Sequence, residues 1–259
     1  MITVKMGVSR ITLAVHDRKG RILSILVRKT PHEELSPEGW ESHLSLPEWF
    51  GGLKSPVAIA SVVPQYDTAL QKALVAGGKK WMIPLTIPDW GLAVRYSPQG
   101  ALGVDRLAVC RGSLERFPEL KRQGWVVADF GTHTVLTVVI NHTIFGGSIS
   151  PGIMTQLQSI GRGLVLGRYP LQYPERPVGE NTAECVSSGV VLGAVRGVEG
   201  LFREMEAAMG QQLTLVLTGG LSRYLRPLFR LPNRCDRHLV HAGIWEAAHS
   251  SRKKRSVGR

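Results

Sequence analysis

Cysteine is scarce in this chain of 259 residues: Cys110, Cys185 and Cys235 are all it has. They lie far apart and show no metal-ligand spacing, so the expectation is packed, reduced thiols in a cytoplasmic protein. Long apolar runs are missing as well. None reaches membrane length, and the N-terminus is broken by polar residues, so neither a signal peptide nor a membrane span is expected. Acids are short relative to bases, 20 against 32, which leaves a formal net charge of +12. Such an excess suits nucleic acid, an acidic membrane surface or an anionic substrate. Part of it sits in the tail 251–259, expected to be disordered. The remainder is scattered, with no stripe and no nucleic-acid motif. It is therefore read mainly as solubility and attraction for phosphate, with weak nucleic-acid binding as the lesser reading.

What is present is organised around Trp125-Val-Val-Ala-Asp-Phe-Gly-Thr-His-Thr-Val-Leu-Thr-Val-Val-Ile140. An apolar run reads as a buried strand, and a second β-branched run comes after a short turn carrying Asp129, Gly131, Thr132 and Thr134. Gly131 lets backbone come close to a ligand, and turn amides suit phosphate oxygens. Taken alone, the stretch is better explained as an ordinary hairpin with polar turn residues. An echo near the start changes that balance. Residues 2–27 repeat the order strand, charged residue, x, Gly, hydroxyl, strand, turn, strand, with Lys5 where Asp129 stands and Gly7 where Gly131 stands. Such a repeat implies two β-rich lobes, expected to face one another across a nucleotide cleft.

The 43% hydrophobic content is enough for one large or two modest domains. Strand 57–63, helix 66–76 closed by Gly77-Gly78, and strand 81–85 alternate as in an α/β lobe, after a short helix at 37–44 and a loop at 46–52. Gly103-Val-Asp-Arg106 ends a glycine-punctuated loop and starts a helix, where the helix field favours the ionised Asp105. Taken by itself, that acid is better explained as a helix cap with a solvated Arg106. Gly146-Gly-Ser-Ile-Ser-Pro-Gly152 reads as a loop entering a helix near Met154, either a ligand cradle or a plain turn. The longest helical pattern, 183–209, carries small residues that suit close helix packing in a core or dimer interface. Strand 212–217 runs into Thr218-Gly-Gly220, a turn placed where α/β folds hold nucleotides. A helix from 221 is cut short at Pro227, and another at 236–248 closes the fold. His238 and His241 lack partners at metal spacing and are read as structural.

With these pieces in order, the chain resembles the type III pantothenate kinases of the acetate-kinase/hexokinase/Hsp70/actin-like superfamily. The matching residues are Ser61-Val-Val-Pro64, Gly103-Val-Asp-Arg106, Asp129-Phe-Gly-Thr-His-Thr134, 146–152, Asn181-Thr182 with Ser188-Gly189, and Thr218-Gly-Gly220. The resemblance implies an α/β, two-lobe, actin-like (ribonuclease H-like) ATPase fold with a duplicated mixed β-sheet and flanking helices. Its lobes would span 1–118 and 119–250. It implies ATP-dependent phosphorylation of pantothenate to 4'-phosphopantothenate, the first step of coenzyme A biosynthesis, by a cytoplasmic homodimer. It makes Asp105 the general base and Arg106 the holder of the pantothenate carboxylate. Tyr96 and Gly103 would line that pocket, and Thr182 would reach substrate across the dimer interface. Asp129 would ligate a monovalent cation, potassium or ammonium, near the nucleotide. Gly131, Thr132, Gly219 and Gly220, with Lys5, Gly7 and Ser9 of the first copy, would surround ATP, and magnesium or another divalent ion is the implied cofactor.

The first phosphate motif departs from the family's Asp-x-Gly-Asn-Thr: here it is Lys5-Met-Gly-Val-Ser9. An acid that would help hold magnesium has become a cation, and an asparagine has become Val8. Two outcomes stay open. Lys5 binds phosphates directly as a point charge, or it blocks metal loading and leaves a binding or transcription-accessory protein. Another phosphotransferase on the same fold is a third reading, since fold does not fix substrate.

Overall fold

The computed structural model describes residues 1–31, 35–44, 55–76, 82–83, 85, 87–163 and 169–257. The expected loop at 46–52, the helix stop at Gly77-Gly78 and Trp81 lie outside them. The chain divides into two compact units: Met1–Leu92 with Gly100–Glu115 and Val240–Arg259, and Ala93–Gln99 with Arg116–Leu239. The chain's main passage from first to second unit is at Glu115/Arg116. The C-terminal helix from Val240, however, groups with the first unit.

In the first unit, β1 (Ile2–Met6), β2 (Arg10–His16) and β3 (Ile22–Lys29) form an antiparallel meander. On the other side of β1, β4 (Val57–Ser61) and then β5 (Met82–Ile83) run parallel to it, giving the order β3-β2-β1-β4-β5. Side chains alternate across a strand. Ile2, Val4 and Met6 therefore share one face and pack with Ile11, Leu13 and Val57 against Trp40 of α1 (Pro37–Leu44) and Leu70 and Leu74 of α2 (Asp67–Ala76). Thr3 and Lys5 point to the other face. Helix α3 (Val104–Arg116) completes the series before the chain leaves this unit.

The second unit repeats the plan. Strand β6 (Ala93–Val94) joins the edge of a sheet of β7 (Gly124–Phe130), β8 (His133–Ile140) and β9 (Thr143–Pro151), again an antiparallel meander. Beside β7, β10 (Leu213–Thr218) and β11 (Asn233–Cys235) run parallel, so the order is β11-β10-β7-β8-β9-β6. Apart from β6, both sheets share one connectivity, which is the duplicated mixed sheet expected from the repeat. Val126, Ala128 and Phe130 pack against Ile153 and Leu157 of α4 (Ile153–Gly163) and Val190, Val191, Val195 and Phe202 of α5 (Thr182–Met209). Helix α5 contains one π-helical turn, Ser188–Leu192. By length and composition alone, α5 could cross a bilayer. Its valines and Phe202 are instead committed to this core.

Two further readings change. Residues 146–152 are not a loop: most of them extend β9 to Pro151. Glycines hide a strand because they carry no alternating side chains, and Gly147 (φ +147) is needed because a Cβ there would lie 1.9 Å from the Leu136 carbonyl oxygen. The tail is not disordered from 251. After the short α6 (Ser222–Leu225), the closing helix α7 (Leu239–Val257) continues through Arg252-Lys-Lys-Arg255. Within the first unit α7 is held closely: Gly243 leaves only 1.9 Å between a hypothetical Cβ and the Ala108 carbonyl oxygen of α3, and Arg111 pairs with Glu246 at 2.9 Å.

Behind the first sheet runs a buried chain of hydroxyls and imidazoles. His16 Nδ1 lies 3.0 Å from the Gly20 carbonyl, which can only accept, so Nδ1 carries the proton. Nε2 then accepts from the Thr3 hydroxyl at 2.8 Å. Thr3 Oγ1 in turn accepts from His241 Nδ1 at 2.8 Å, and His241 Nε2 accepts from Thr12 Oγ1 at 2.9 Å. His241 is thus structural, as expected, and satisfied polar groups tie α7 to β1 and β2.

Candidate functional site

Strands β1 and β4 end side by side, with Met6 opposite Ser61. The carboxyl ends of parallel strands are where α/β sheets meet ligands. Beyond β1 the chain turns through Gly7, Val8 and Ser9. The Gly7 N–H donates to the Arg10 carbonyl at 3.0 Å, and the Thr30 hydroxyl donates to the Gly7 carbonyl at 2.6 Å. Val8 is 59% exposed. Lys5 leans over this turn: its Nζ is 3.3 Å from where a Cβ on Gly7 would sit. Among the described residues no carboxylate forms an ion pair with it.

Asp105 stands in the first turn of α3. Its Oδ1 accepts the Arg106 N–H at 2.9 Å. A Cβ on Gly103 would lie 2.7 Å from that oxygen and 3.8 Å from Val62 Cγ1. Glycine at 103 therefore lets the carboxylate fold back against the loop after β4. That loop is tied to the first turn, because the Val62 N–H donates to the Met6 carbonyl at 3.0 Å. Lys5, Gly7, Ser9, Gly103 and Asp105 thus share one end of the first sheet. Arg106 is buried beside them, and Cys110 lies one turn further along α3. Burial pushes the Cys110 thiol up to about 12, against the lowering pull of Arg106.

The second sheet repeats the arrangement. Asp129 is the last residue but one of β7, as Lys5 is of β1, and it lies opposite Thr218 of β10. Gly219 (φ +91) presses on it: a Cβ there would be 2.3 Å from Asp129 Oδ1 and 2.7 Å from Phe130 N. The Gly131 N–H donates to the His133 carbonyl at 3.0 Å. The Thr132 carbonyl accepts from the Gly152 N–H at 2.9 Å and the Thr155 hydroxyl at 2.8 Å. Asp129, Gly131, Thr132, Gly219 and Gly220 therefore meet at the carboxyl ends of β7 and β10. Gly152 and Thr155, which bracket this turn, were missed as site residues. The signal was the Pro151-Gly152 pair, open to either a ligand cradle or a plain helix-entry turn; its Gly152 N–H supports the Thr132 turn.

Tyr96 and Thr182 are not among the residues that bracket this turn. The Tyr96 ring packs over Gly146, with Cδ2 3.5 Å from the position of a Cβ. Thr182 is exposed at the start of α5, behind the cap in which Asn181 Oδ1 accepts the Glu184 N–H at 3.0 Å. Asn181 Nδ2 donates back to Glu184 Oε1 at 2.7 Å, so the acid and amide form a reciprocal cap.

Metals divide the two turns. Among the described residues, no group of three or more His, Cys, Asp or Glu is gathered to hold an ion. A divalent ion needs anionic oxygen ligands. The Lys5 turn offers an ammonium, one hydroxyl and backbone, so it does not fit such an ion. The second turn differs in carrying a carboxylate, that of Asp129, against Gly219.

Residues 1–204 match the sequence profile described as type III pantothenate kinase. The chain belongs to the type III pantothenate kinase family. A type III pantothenate kinase of Thermomicrobium roseum is 31% identical over 209 residues, covering 78% of this chain and 77% of that protein. One from Acholeplasma laidlawii is 30% identical over 216 residues, 78% and 83% of the two chains. Among solved structures, a Baf family transcriptional activator from Campylobacter jejuni superposes with a TM-score of 0.61 at 16% identity, covering 98% of this chain and 100% of the other. The ethanolamine utilization protein EutJ of Carboxydothermus hydrogenoformans gives 0.57 at 14%, covering 95% and 88%. These two likenesses establish the actin-like ATPase fold, and the sequence relatives establish the pantothenate kinase family.

Proposed function

We propose that this protein transfers the terminal phosphoryl group of ATP to the primary hydroxyl of pantothenate. The observation that carries this is the Asp105–Arg106 pair, held by Gly103 at the ligand end of the first sheet, in a member of this family. In the reaction, the hydroxyl oxygen bonds to the γ-phosphorus as the bond to the β–γ bridging oxygen breaks. The hydroxyl proton passes to the Asp105 carboxylate. Arg106 offers a planar fork to the pantothenate carboxylate. Tyr96 and Gly103 line that pocket, and Thr182 reaches the substrate of a second copy in a homodimer formed through α5. Gly131, Thr132, Gly219 and Gly220 give backbone room and amides to the nucleotide phosphates. Asp129 holds a potassium or ammonium ion near them. Free thiols at Cys110, Cys185 and Cys235 suit the reducing cytoplasm. A divalent ion, when bound to ATP, neutralises phosphate charge. No residue at the Lys5 turn is suited to hold it.

The test is phosphorus NMR of full-length protein with ATP and pantothenate. A new phosphomonoester signal that depends on pantothenate is expected. Arg106→Lys should raise KM for pantothenate roughly tenfold or more while leaving the KM for ATP in place, because a point charge cannot replace a bidentate fork. Equal loss of affinity for both substrates would remove the role given to Arg106. A second reading, ligand binding without turnover, is favoured by Lys5 alone. Calorimetric binding of ATP or pantothenate with no phosphomonoester under any metal condition would select it.

A further inference from the structure

We infer that the Lys5 ammonium takes the place of the divalent ion, so that this protein holds the triphosphate of ATP without one. The inference rests on the kinase reading above and deepens it. Its starting point is the internal symmetry of the two sheets. Lys5 and Asp129 occupy the same place in the same connectivity: each is the last residue but one of the strand that a hairpin leaves and a parallel strand flanks. Both turns continue through a glycine two residues later, Gly7 and Gly131. The fold thus supplies one site architecture twice, with a fixed cation in one copy and a fixed anion in the other.

The geometry at the first copy suits an oxyanion. Lys5 Nζ hangs over the Gly7 backbone, where a Cβ would come within 3.3 Å of it and 3.1 Å of the Arg10 carbonyl oxygen. Glycine keeps that space open. Thr30 fixes the turn from beneath through the Gly7 carbonyl and, by its own N–H at 3.1 Å, the Ser9 carbonyl. Among the described residues no acid pairs with the ammonium.

Charge explains why such an exchange is self-consistent. A carboxylate holding a divalent ion presents a single net positive charge to phosphate oxygens. A lysine presents the same charge by itself, as a compact point with three donors. The two devices are alternatives. With Lys5 in place a divalent ion would meet an ammonium where it needs an oxygen ligand.

The experiment is calorimetric titration of the full chain with ATP, in excess EDTA and again in magnesium chloride. The proteins are wild type, Lys5→Arg, Lys5→Met and Lys5→Asp. Wild-type affinity is expected to differ by less than about threefold between the two buffers. Lys5→Arg should behave like wild type. Lys5→Met should lose affinity by at least about tenfold in EDTA, and Lys5→Asp should bind only with magnesium. Rescue of Lys5→Asp by magnesium and the behaviour of Lys5→Arg distinguish a phosphate role from a folding defect. Wild-type binding that vanishes in EDTA and returns with magnesium would overturn the inference and leave the kinase reading standing. Wild-type protein that binds no ATP in either buffer would overturn both.

Discussion

At the scale of single residues, Gly219 is where the site tolerates least. Its φ of +91 and the 2.3 Å left between a Cβ and Asp129 Oδ1 make any side chain both strained and clashing. Gly219→Ala should lower stability by about 1–3 kcal/mol and abolish nucleotide binding, measured by thermal melts with and without ATP. A variant with unchanged melting and unchanged ATP response would show that the turn does not need this contact. Cys110 makes a prediction about pH. Its thiol ionises near 9.0 when exposed and near 12 when folded, so the folded state keeps a proton that the unfolded state sheds. The stability it contributes is complete below about pH 9 and declines as pH rises toward 12, by at most about 1.4 kcal/mol per pH unit. Urea midpoints from pH 8 to 11 should fall more steeply for wild type than for Cys110→Ala. Parallel curves would contradict the burial of this thiol.

At the scale of elements, α5 is tied by one acid to the segment between β10 and β11. Glu199 is buried on α5, and its Oε1 accepts the N–H groups of Arg230 at 2.6 Å and Leu231 at 3.0 Å. Its other oxygen pairs with Arg196. Glu199→Ala leaves two amides without that acceptor and should cost about 3 kcal/mol, read as a shift in urea midpoint. Local signals decide which elements a sequence discloses. The hairpin at Asp129 was readable because its strands, glycine and hydroxyls are contiguous, and the helix start at Asp105 because its loop and acid are adjacent. Other elements gave no such signal. β9 was hidden by Gly146 and Gly147, both at positive φ, the first under the Tyr96 ring and the second pressed on β8. β6 and β11 have two and three residues, too few for a period to show. The Thr3–His241 hydrogen bond joins residues 238 positions apart, and no local pattern reports it.

At the scale of the whole chain, the repeat was the most legible feature. Two copies of one strand pattern became two sheets of one connectivity, differing by the added β6. The candidate site was legible at the two turns and at Asp105 for the same reason, since each copy sends its first strand into a glycine turn at a sheet end. The supports of Thr132 were not, because Gly152 and Thr155 reach it from another element. The basic excess of +12 agrees with an anionic ligand but selects none, since net charge speaks to attraction and not to chemistry.

Turnover is the deciding measurement. Initial rates of pantothenate-dependent ADP formation should be measured for wild type and Asp105→Asn at saturating substrates, with ATP affinity checked in parallel. The expected result is a wild-type rate that falls by about a hundredfold or more in the variant, with ATP binding preserved. An Asp105→Asn protein that turns over at the wild-type rate, or a wild type that binds both substrates and transfers nothing, would contradict the role of Asp105 as the base of a working kinase.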